Sequence, residues 1–162
     1  MNLPPYSWPC LAARAGLVAA LLASLAGPAQ AQFSQVPSST LSGAPEPAAA
    51  ADEAGYRKEA ARHIYGAYPT RVHKGKLPPM MYAVMITDTE IDANGQVVNV
   101  SVARPPAAAK EVTPWVLALI RRASPFPAPA RFANGGNVNY REIWLVDKTG
   151  LFQVDTLTEG QH

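Results

Sequence analysis

The sequence lacks the residues that several common classes of site require. Its 162 residues include a single cysteine, Cys10, which excludes disulfides within the chain and sites built from clustered thiolates. Charged residues make up only 16% and the net charge is +2, which excludes the strongly basic surface of a dedicated nucleic-acid-binding protein. Because 48% of the residues are hydrophobic, the chain can bury one modest core, and we expect a single folded domain.

The first 31 residues have the pattern of a secretory signal peptide. The apolar run Ala15–Ala26 follows Arg14, and a Gly27-Pro28 pair leads to an Ala29-x-Ala31 cleavage pattern. Twelve residues span about 18 Å as a helix, less than the roughly 30 Å of a bilayer core. We therefore expect export to the periplasm, cleavage after Ala31 and no membrane span in the mature form. The alternative is an uncleaved inner-membrane anchor.

Composition divides the remaining chain into three parts. Residues 32–51 are rich in Ser, Pro and Ala and carry one charge, Glu46, so they are predicted to form a disordered linker that buries too little apolar surface to fold. Fully extended, such a linker reaches at most about 66–72 Å. Residues 52–157 are expected to form the folded domain, and residues 158–162 a short tail.

Hydrophobic periodicity predicts the order α-β-β-α-β-β within the domain. The first helix runs from an Asp52 N-cap to about Gly66, and the second from a Thr113 N-cap, with Pro114 at its first position, to about Ala123. The four predicted strands are Met80–Asp92, Gln96–Arg104, Tyr140–Val146 and Leu151–Leu157. We expect an α+β fold in which two helices pack on one face of a small antiparallel sheet of three to four strands.

The best local signal is the hairpin around Asn94-Gly95, whose two central turn residues are both expected to need positive φ. Alternation predicts one buried face and one wet face. The buried face is expected to hold Met85, Thr87, Thr89 and Ile91 opposite Val100 and Val102, and the wet face Asp88, Glu90 and Asp92 with Asn99 and Ser101.

Candidate sites for catalysis or metal binding fail on their spacing. Glu90–Gly95 resembles the start of an EF-hand calcium loop, but Ser101 stands where the bidentate Glu is required. The acidic row on the wet face is interpreted as a solvated surface. His63, His73 and His162 lack the spacing of a metal site, and His63 is expected to pack on the first helix. We expect no catalytic residue, no metal, no cofactor and no enzymatic activity.

The order of these features resembles the C-terminal domain of the TonB family. The residues that carry the resemblance are Tyr68-Pro69 after the first helix, Asn94-Gly95 in the turn, Val97, Val100 and Val102 in the next strand, and Ser124-Pro125-Phe126-Pro127 after the second helix. The resemblance implies a structural role for Tyr68, Pro69, Asn94 and Gly95. It also implies a periplasmic protein-binding module of 52–157 that acts in envelope transport or assembly.

In that family the last strand receives a segment of the partner, so the resemblance implies a partner-binding edge. Its residues here are Tyr140, Glu142, Trp144 and Val146. The strand Leu151–Leu157 is expected to pair with the same edge and to occupy it. The expected partner is an envelope protein of unknown identity, and the protein itself is expected to be a monomer or weak homodimer. The alternative is a short, membrane-anchored energy transducer for outer-membrane transporters, or a TolA-like envelope linker.

Overall fold

A computed structural model describes residues 32–131, 133 and 135–161. The expected signal peptide, residues 1–31, lies outside the described residues. The elements in chain order are helix α1 (Glu53–Ala67), strands β1 (Ala83–Ile91) and β2 (Val97–Arg104), helix α2 (Val112–Arg122), strands β3 (Val138–Val146) and β4 (Phe152–Val154), and a 3-10 turn (Asp155–Leu157). The sheet is antiparallel with the order β2-β1-β3-β4, which confirms the predicted α+β fold.

Helix α1 begins as predicted. The Asp52 side chain accepts a hydrogen bond from the Gly55 N–H at 2.7 Å. One face of the helix is buried, and the backbone N–H of Tyr68 closes the last turn on the Ile64 carbonyl. The predicted N-cap fits because an Asp side chain satisfies an N–H group that has no partner within the helix.

Helix α2 begins earlier than predicted. Glu111 occupies the N-cap position and makes no side-chain cap bond, so the prediction of Thr113 as N-cap is wrong. The N–H groups of Val112 and Thr113 instead bond to the carbonyls of Ala109 and Lys110. A backbone turn therefore replaces the side-chain cap, since it satisfies the same donors.

The β1–β2 hairpin has the predicted faces, and its register shifts between Ile86 and Thr87 and between Glu90 and Ile91. Thr89 lies opposite Val100 and Thr87 opposite Val102, while Asp88 faces Ser101 on the other side of the sheet. Both threonines are fully buried, and the Trp144 indole N–H donates to the Thr87 hydroxyl at 3.0 Å. The buried face packs with the apolar residues of both helices in one core.

The hairpin turn differs from the predicted form. The Gly95 N–H bonds to the Asp92 carbonyl, and Asp92 Oδ1 accepts from the N–H groups of Asn94 and Gln96. Gly95 has a φ of +82°, whereas Asn94 is not among the residues with positive φ. This is a longer loop in which glycine supplies the single left-handed position. The requirement for positive φ is therefore correct for Gly95 and wrong for Asn94.

Gly95 is also fixed by a close approach. Its carbonyl accepts from the Phe126 N–H at 2.7 Å, and a Cβ at this position would lie 2.0 Å from the Phe126 carbonyl oxygen. The Phe126 side chain is fully buried. The hairpin turn therefore packs directly against the chain that follows α2. Only glycine fits at position 95, because a Cβ would collide with Phe126.

The C-terminal strand is shorter than predicted and is integral to the fold. β4 pairs only with Trp144–Val146, and the chain then turns into the 3-10 segment. On the other side of β4, the Phe152 N–H donates to Arg71 O and Phe152 O accepts from the His73 N–H. β4 therefore lies between two neighbours, and its fully buried Phe152 packs near Trp115 and Trp144.

Residues 32–51, expected to be a disordered linker, lie along the helical layer in the structure. Phe33 and Ala48 are buried, Thr40 N–H donates to Ala67 O, and Ala48 N–H donates to Ala128 O. The difference has a physical reason, since one aromatic and a few small side chains suffice when backbone groups also find partners. We call residues 32–51 the N-terminal segment below.

The first prediction separates backbone strain from collision at Gly95. Gly75 has a φ of +78° with nothing within 4 Å of the position that a Cβ would take, so Gly75→Ala should cost about 1–2 kcal/mol through strain alone. Gly95→Ala should cost about 1–3 kcal/mol more, because the methyl meets Phe126. Urea unfolding measures both. Equal losses in the two variants would show that the turn is not seated on Phe126.

The second prediction concerns Phe152. Phe152→Ala should lower the free energy of unfolding by about 3–5 kcal/mol, as for other buried aromatic truncations. Val98→Ala is the control, because Val98 is 57% exposed and should change stability by less than about 0.5 kcal/mol. If Phe152→Ala is as mild as Val98→Ala, β4 is not part of the core.

Candidate protein-binding edge

The four residues expected at the partner-binding edge are buried. Tyr140, Glu142, Trp144 and Val146 are each at most 1% exposed and point to the helical face of the sheet. Their side chains therefore cannot contact a partner in this fold. β4 also closes the backbone edge at Trp144–Val146, as the sequence predicted, and Arg71–His73 closes β4 in turn.

Glu142 has a structural role at this closed edge. Its carboxylate accepts from the Tyr140 hydroxyl at 2.8 Å, from the Ile143 N–H at 3.0 Å and from the Thr156 N–H at 3.3 Å. Burial, and then the Glu142 charge, raise the pKa of Tyr140 well above its ordinary value. The carboxylate thus links the 3-10 turn to β3 by hydrogen bonds. These bonds follow the point at which the backbone pairing of β3 with β4 ends.

The four residues to which the resemblance gave a structural role lie at two separate places. Tyr68 and Pro69 lie at the end of α1, and Asn94 and Gly95 lie in the hairpin turn. The Tyr68 hydroxyl donates to the Leu119 carbonyl at 2.8 Å and joins α1 to α2, and burial raises the pKa of Tyr68 to about 12. Pro69 is exposed and follows the end of α1. Asn94 and Gly95 form the turn described above. These positions stabilise the fold and do not form one site.

The acidic row lies on the exposed face, as predicted, and its members already have partners. Arg141 binds Asp88 through two hydrogen bonds of 2.7 and 2.8 Å, and this contact lowers the pKa of the Asp88 carboxyl. Glu90 accepts from the Asn137 amide at 2.7 Å. Within the described residues, no group of three or more His, Cys, Asp or Glu side chains could hold a metal ion.

His63 packs within the domain, as expected. Its Nε2 lies 2.7 Å from the Ala123 carbonyl and its ring centroid lies 4.8 Å from that of Phe126. Burial lowers the pKa of His63 below its ordinary value of 6.5.

The open edge of the sheet belongs to β2. β2 is the outermost strand at the side away from β4, and in the described part of the chain no strand pairs with its outer side. Its beginning is covered, because Val97 N–H donates to the Ser124 hydroxyl and Gly95 O binds Phe126 N–H. The open part therefore runs from Val98 to Arg104. We call residues 98–104 the β2 edge.

The β2 edge pairs regularly with β1 over residues 99–102, and register shifts interrupt the pairing at Val98 and Ala103. It contains no proline, and its single charged residue, Arg104, stands at its end. Val98 is 57% exposed and Val100 is buried. Unpaired backbone groups next to an exposed apolar side chain form a template for an added strand.

Sequence reasoning did not identify this edge. The sequence predicted the hairpin, but it could not show that β3 pairs with the other side of β1 and leaves β2 outermost. The available signal was the composition of the strand, which has alternating valines without a proline or lysine.

Comparisons with protein-family models, with curated proteins and with solved structures found no match. Among the helices that the structure describes, none is long and apolar enough to cross a membrane. Functional inference for this chain therefore depends on the geometry of its sheet edges.

The third prediction uses the titration of His63. The folded state has the lower pKa, so the unfolded state binds more protons below pH 6.5 and the free energy of unfolding falls as the pH drops through that value. His63→Gln should remove the part of this fall in the free energy of unfolding that comes from protonation of His63. Urea unfolding at pH 7.5 and 5.5 measures it for both proteins. An identical loss in the variant would show that His63 titrates alike in both states.

Proposed function

We propose that this chain is a periplasmic protein-binding module that receives an extended segment of a partner along the β2 edge. The observation that carries the proposal is the outer backbone of residues 98–104, which no described strand pairs and whose residues 99–102 are in regular register with β1. In strand addition, main-chain hydrogen bonds provide the affinity and alternate side chains provide the specificity. The proposal includes no catalysis and no cofactor.

The resemblance to the TonB C-terminal domain supports a binding role, and the signal-like N-terminus supports export. The site differs from the one that the resemblance implies. The last-strand edge is covered by β4 over Trp144–Val146, so a partner that adds a strand there must first displace the buried Phe152. The β2 edge needs no such displacement, which favours it as the docking strand.

The geometry also favours a partner segment of alternating character. Added side chains on the helical side would lie beside Val100 and Val102 and extend the apolar layer. Those on the other side would lie beside Asn99 and Ser101, which are uncharged and exposed. A segment that alternates apolar and uncharged polar residues therefore fits the β2 edge best.

The second candidate function, an anchored transducer or TolA-like linker, needs a spacer between membrane and domain. The N-terminal segment does not provide one in this structure, because Phe33 and Ala48 are both buried against the domain. The extended reach of residues 32–51 is then lost. This observation favours the binding module.

The fourth prediction tests the β2 edge in cells with the full-length chain. A photo-crosslinking residue at Val98 should give a discrete adduct with an envelope protein, and one at Leu41 should not. Leu41 is the matched control because it is also exposed, at 40%, but lies in the N-terminal segment.

A second variant tests the same proposal by placing a lysine on the β2 edge. With the crosslinker at Ser101, Val98→Lys should abolish the adduct, since an edge lysine opposes strand addition. It should change the free energy of unfolding by less than about 0.5 kcal/mol, because the side chain is exposed. Adducts that form equally from Leu41, or that persist in the lysine variant, would contradict the proposal.

A further inference from the structure

The first part of the N-terminal segment lies in a groove between helix α2 and the loop before β1. Among residues 33–40 only Phe33 is buried. Its ring stacks on Tyr82 at a centroid distance of 5.8 Å and meets Trp115 edge-on at 5.2 Å, so it anchors this stretch of chain. We call residues 33–40 the arm, and we call the surface formed by Tyr82, Trp115 and Arg122 the arm groove.

Beyond Phe33 the arm is held mainly through its backbone. Side chains of α2 donate hydrogen bonds to three successive carbonyls, from Trp115 to Gln35 at 3.2 Å and from Arg122 to Val36 and to Pro37. The arm ends at Thr40, which donates through its N–H and its hydroxyl to the last carbonyls of α1. The arm is therefore bound like a docked peptide, and it adds no strand to the described sheet.

A short link, residues 41–47, joins the arm to the rest of the domain. Only Pro45 in this link is partly covered, and the other residues are exposed. In the described chain the one hydrogen bond of the link is local, from the Leu41 N–H to the Ser39 hydroxyl. Backbone bonding to the domain resumes at Ala48. The arm can therefore leave its groove while the sheet and the helices stay folded.

Gly43 sets the direction of the link. Its φ is +81°, the chain bends there, and nothing lies within 4 Å of the position that a Cβ would take. Glycine adopts this left-handed conformation and an extended one about equally well, whereas Pro45 and Pro47 keep the rest of the link extended. The bend at Gly43 therefore folds the arm back onto its own domain. With an extended Gly43, the link directs the arm away from it.

We propose that two copies of this chain exchange arms, so that each copy places its Phe33 in the arm groove of the other. Every copy carries the sequence that the structure shows in this groove, and an exchange keeps every contact of the arm. An unrelated ligand would have to displace a segment that the link holds at a high effective concentration. A second copy is therefore the occupant that these contacts favour.

The exchange does not rest on the proposed function. The contacts of the arm given above lie on the helices and on the loop before β1, so the β2 edge of each copy stays open. The exchanged dimer presents two such edges, which raises its avidity for a partner that carries two extended segments.

The test mixes two full-length chains that both carry Cys10→Ser and one new cysteine each. The first chain has Gln32→Cys beside the arm, and the second has Gly150→Cys beside the arm groove. A Cβ at position 150 would lie 4.0 Å from the Gln32 Cβ, within the range that a disulfide requires. The mixture is equilibrated in a glutathione redox buffer, and mass spectrometry identifies the bonds. A chain with both substitutions shows whether the bond also closes internally.

The expected product is a disulfide between position 32 of one chain and position 150 of the other. Phe33→Ala in the Gln32→Cys chain should lower its yield about tenfold, because the anchor that enters the second copy is lost. The same substitution in the Gly150→Cys chain should not lower the yield, since that chain supplies only the groove. This asymmetry separates arm exchange from any other contact between copies.

A second measurement does not depend on position 150. Gly43→Ala should raise the dimer fraction in sedimentation velocity about fivefold, because alanine disfavours the left-handed bend of the unexchanged arm. Gly75→Ala is the matched control, since Gly75 has a φ of +78° and open surroundings but lies outside the arm and the link. It should leave the dimer fraction unchanged.

The proposal would be overturned if no bond formed between chains while the chain with both cysteines closed it internally. Equal losses from Phe33→Ala in either chain, or a dimer fraction that Gly43→Ala does not raise, would also overturn it. A bond between chains that disappears when envelope extract is added would assign the arm groove to another protein, and that result too would contradict exchange between copies.

Discussion

The burial of Phe152 determines which edge of this sheet is free. Its side chain is fully buried, and its backbone bonds to Arg71 and His73 on the side away from β3. The three residues of β4 are thereby held between two neighbours. Because this closes one side of the sheet, the only long unpaired edge among the described strands is that of β2.

A second constraint keeps β2 in place as an outer strand. An isolated two-stranded hairpin is marginal in water, and here its turn is fixed by the contact between Gly95 and Phe126. The Tyr56 hydroxyl donates to Pro127, and His63 lies against Ala123. Helix α1 thus holds the chain that follows α2 in place, and the same stretch of chain contacts the hairpin turn at Gly95. The β2 edge is therefore open, while the hairpin turn next to it is fixed by these contacts.

Much of the fold could be predicted because its signals are local. The Asp52 cap, the alternation of Met85 to Ile91 and the two faces of the hairpin all depend on neighbours in sequence or on one turn. The fold class followed from the order of these elements. The N-cap of α2 was missed because a backbone turn at Ala109 substitutes for a side chain.

The site could not be predicted, because it depends on contacts between distant parts of the chain. The resemblance implies that Tyr140 and Trp144 lie at a binding edge, yet both are buried, and their burial is decided by helices far away in sequence. The pairing of Phe152 with Arg71–His73 has no sequence pattern of its own. The prediction for the N-terminal segment was wrong for a similar reason, since its composition predicts disorder while Phe33 finds a place between Tyr82 and Trp115.

Native-state amide hydrogen exchange can show that β2 is the open edge of the sheet, because it reports on each edge in the free protein. We expect slow exchange for Trp144–Val146 and Phe152–Val154, which are paired on both sides or buried. Along residues 98–104 we expect alternation, with slow exchange for amides that face β1 and fast exchange for amides that face outward. Uniform protection along residues 98–104, or fast exchange at Phe152–Val154, would contradict this assignment of the open edge.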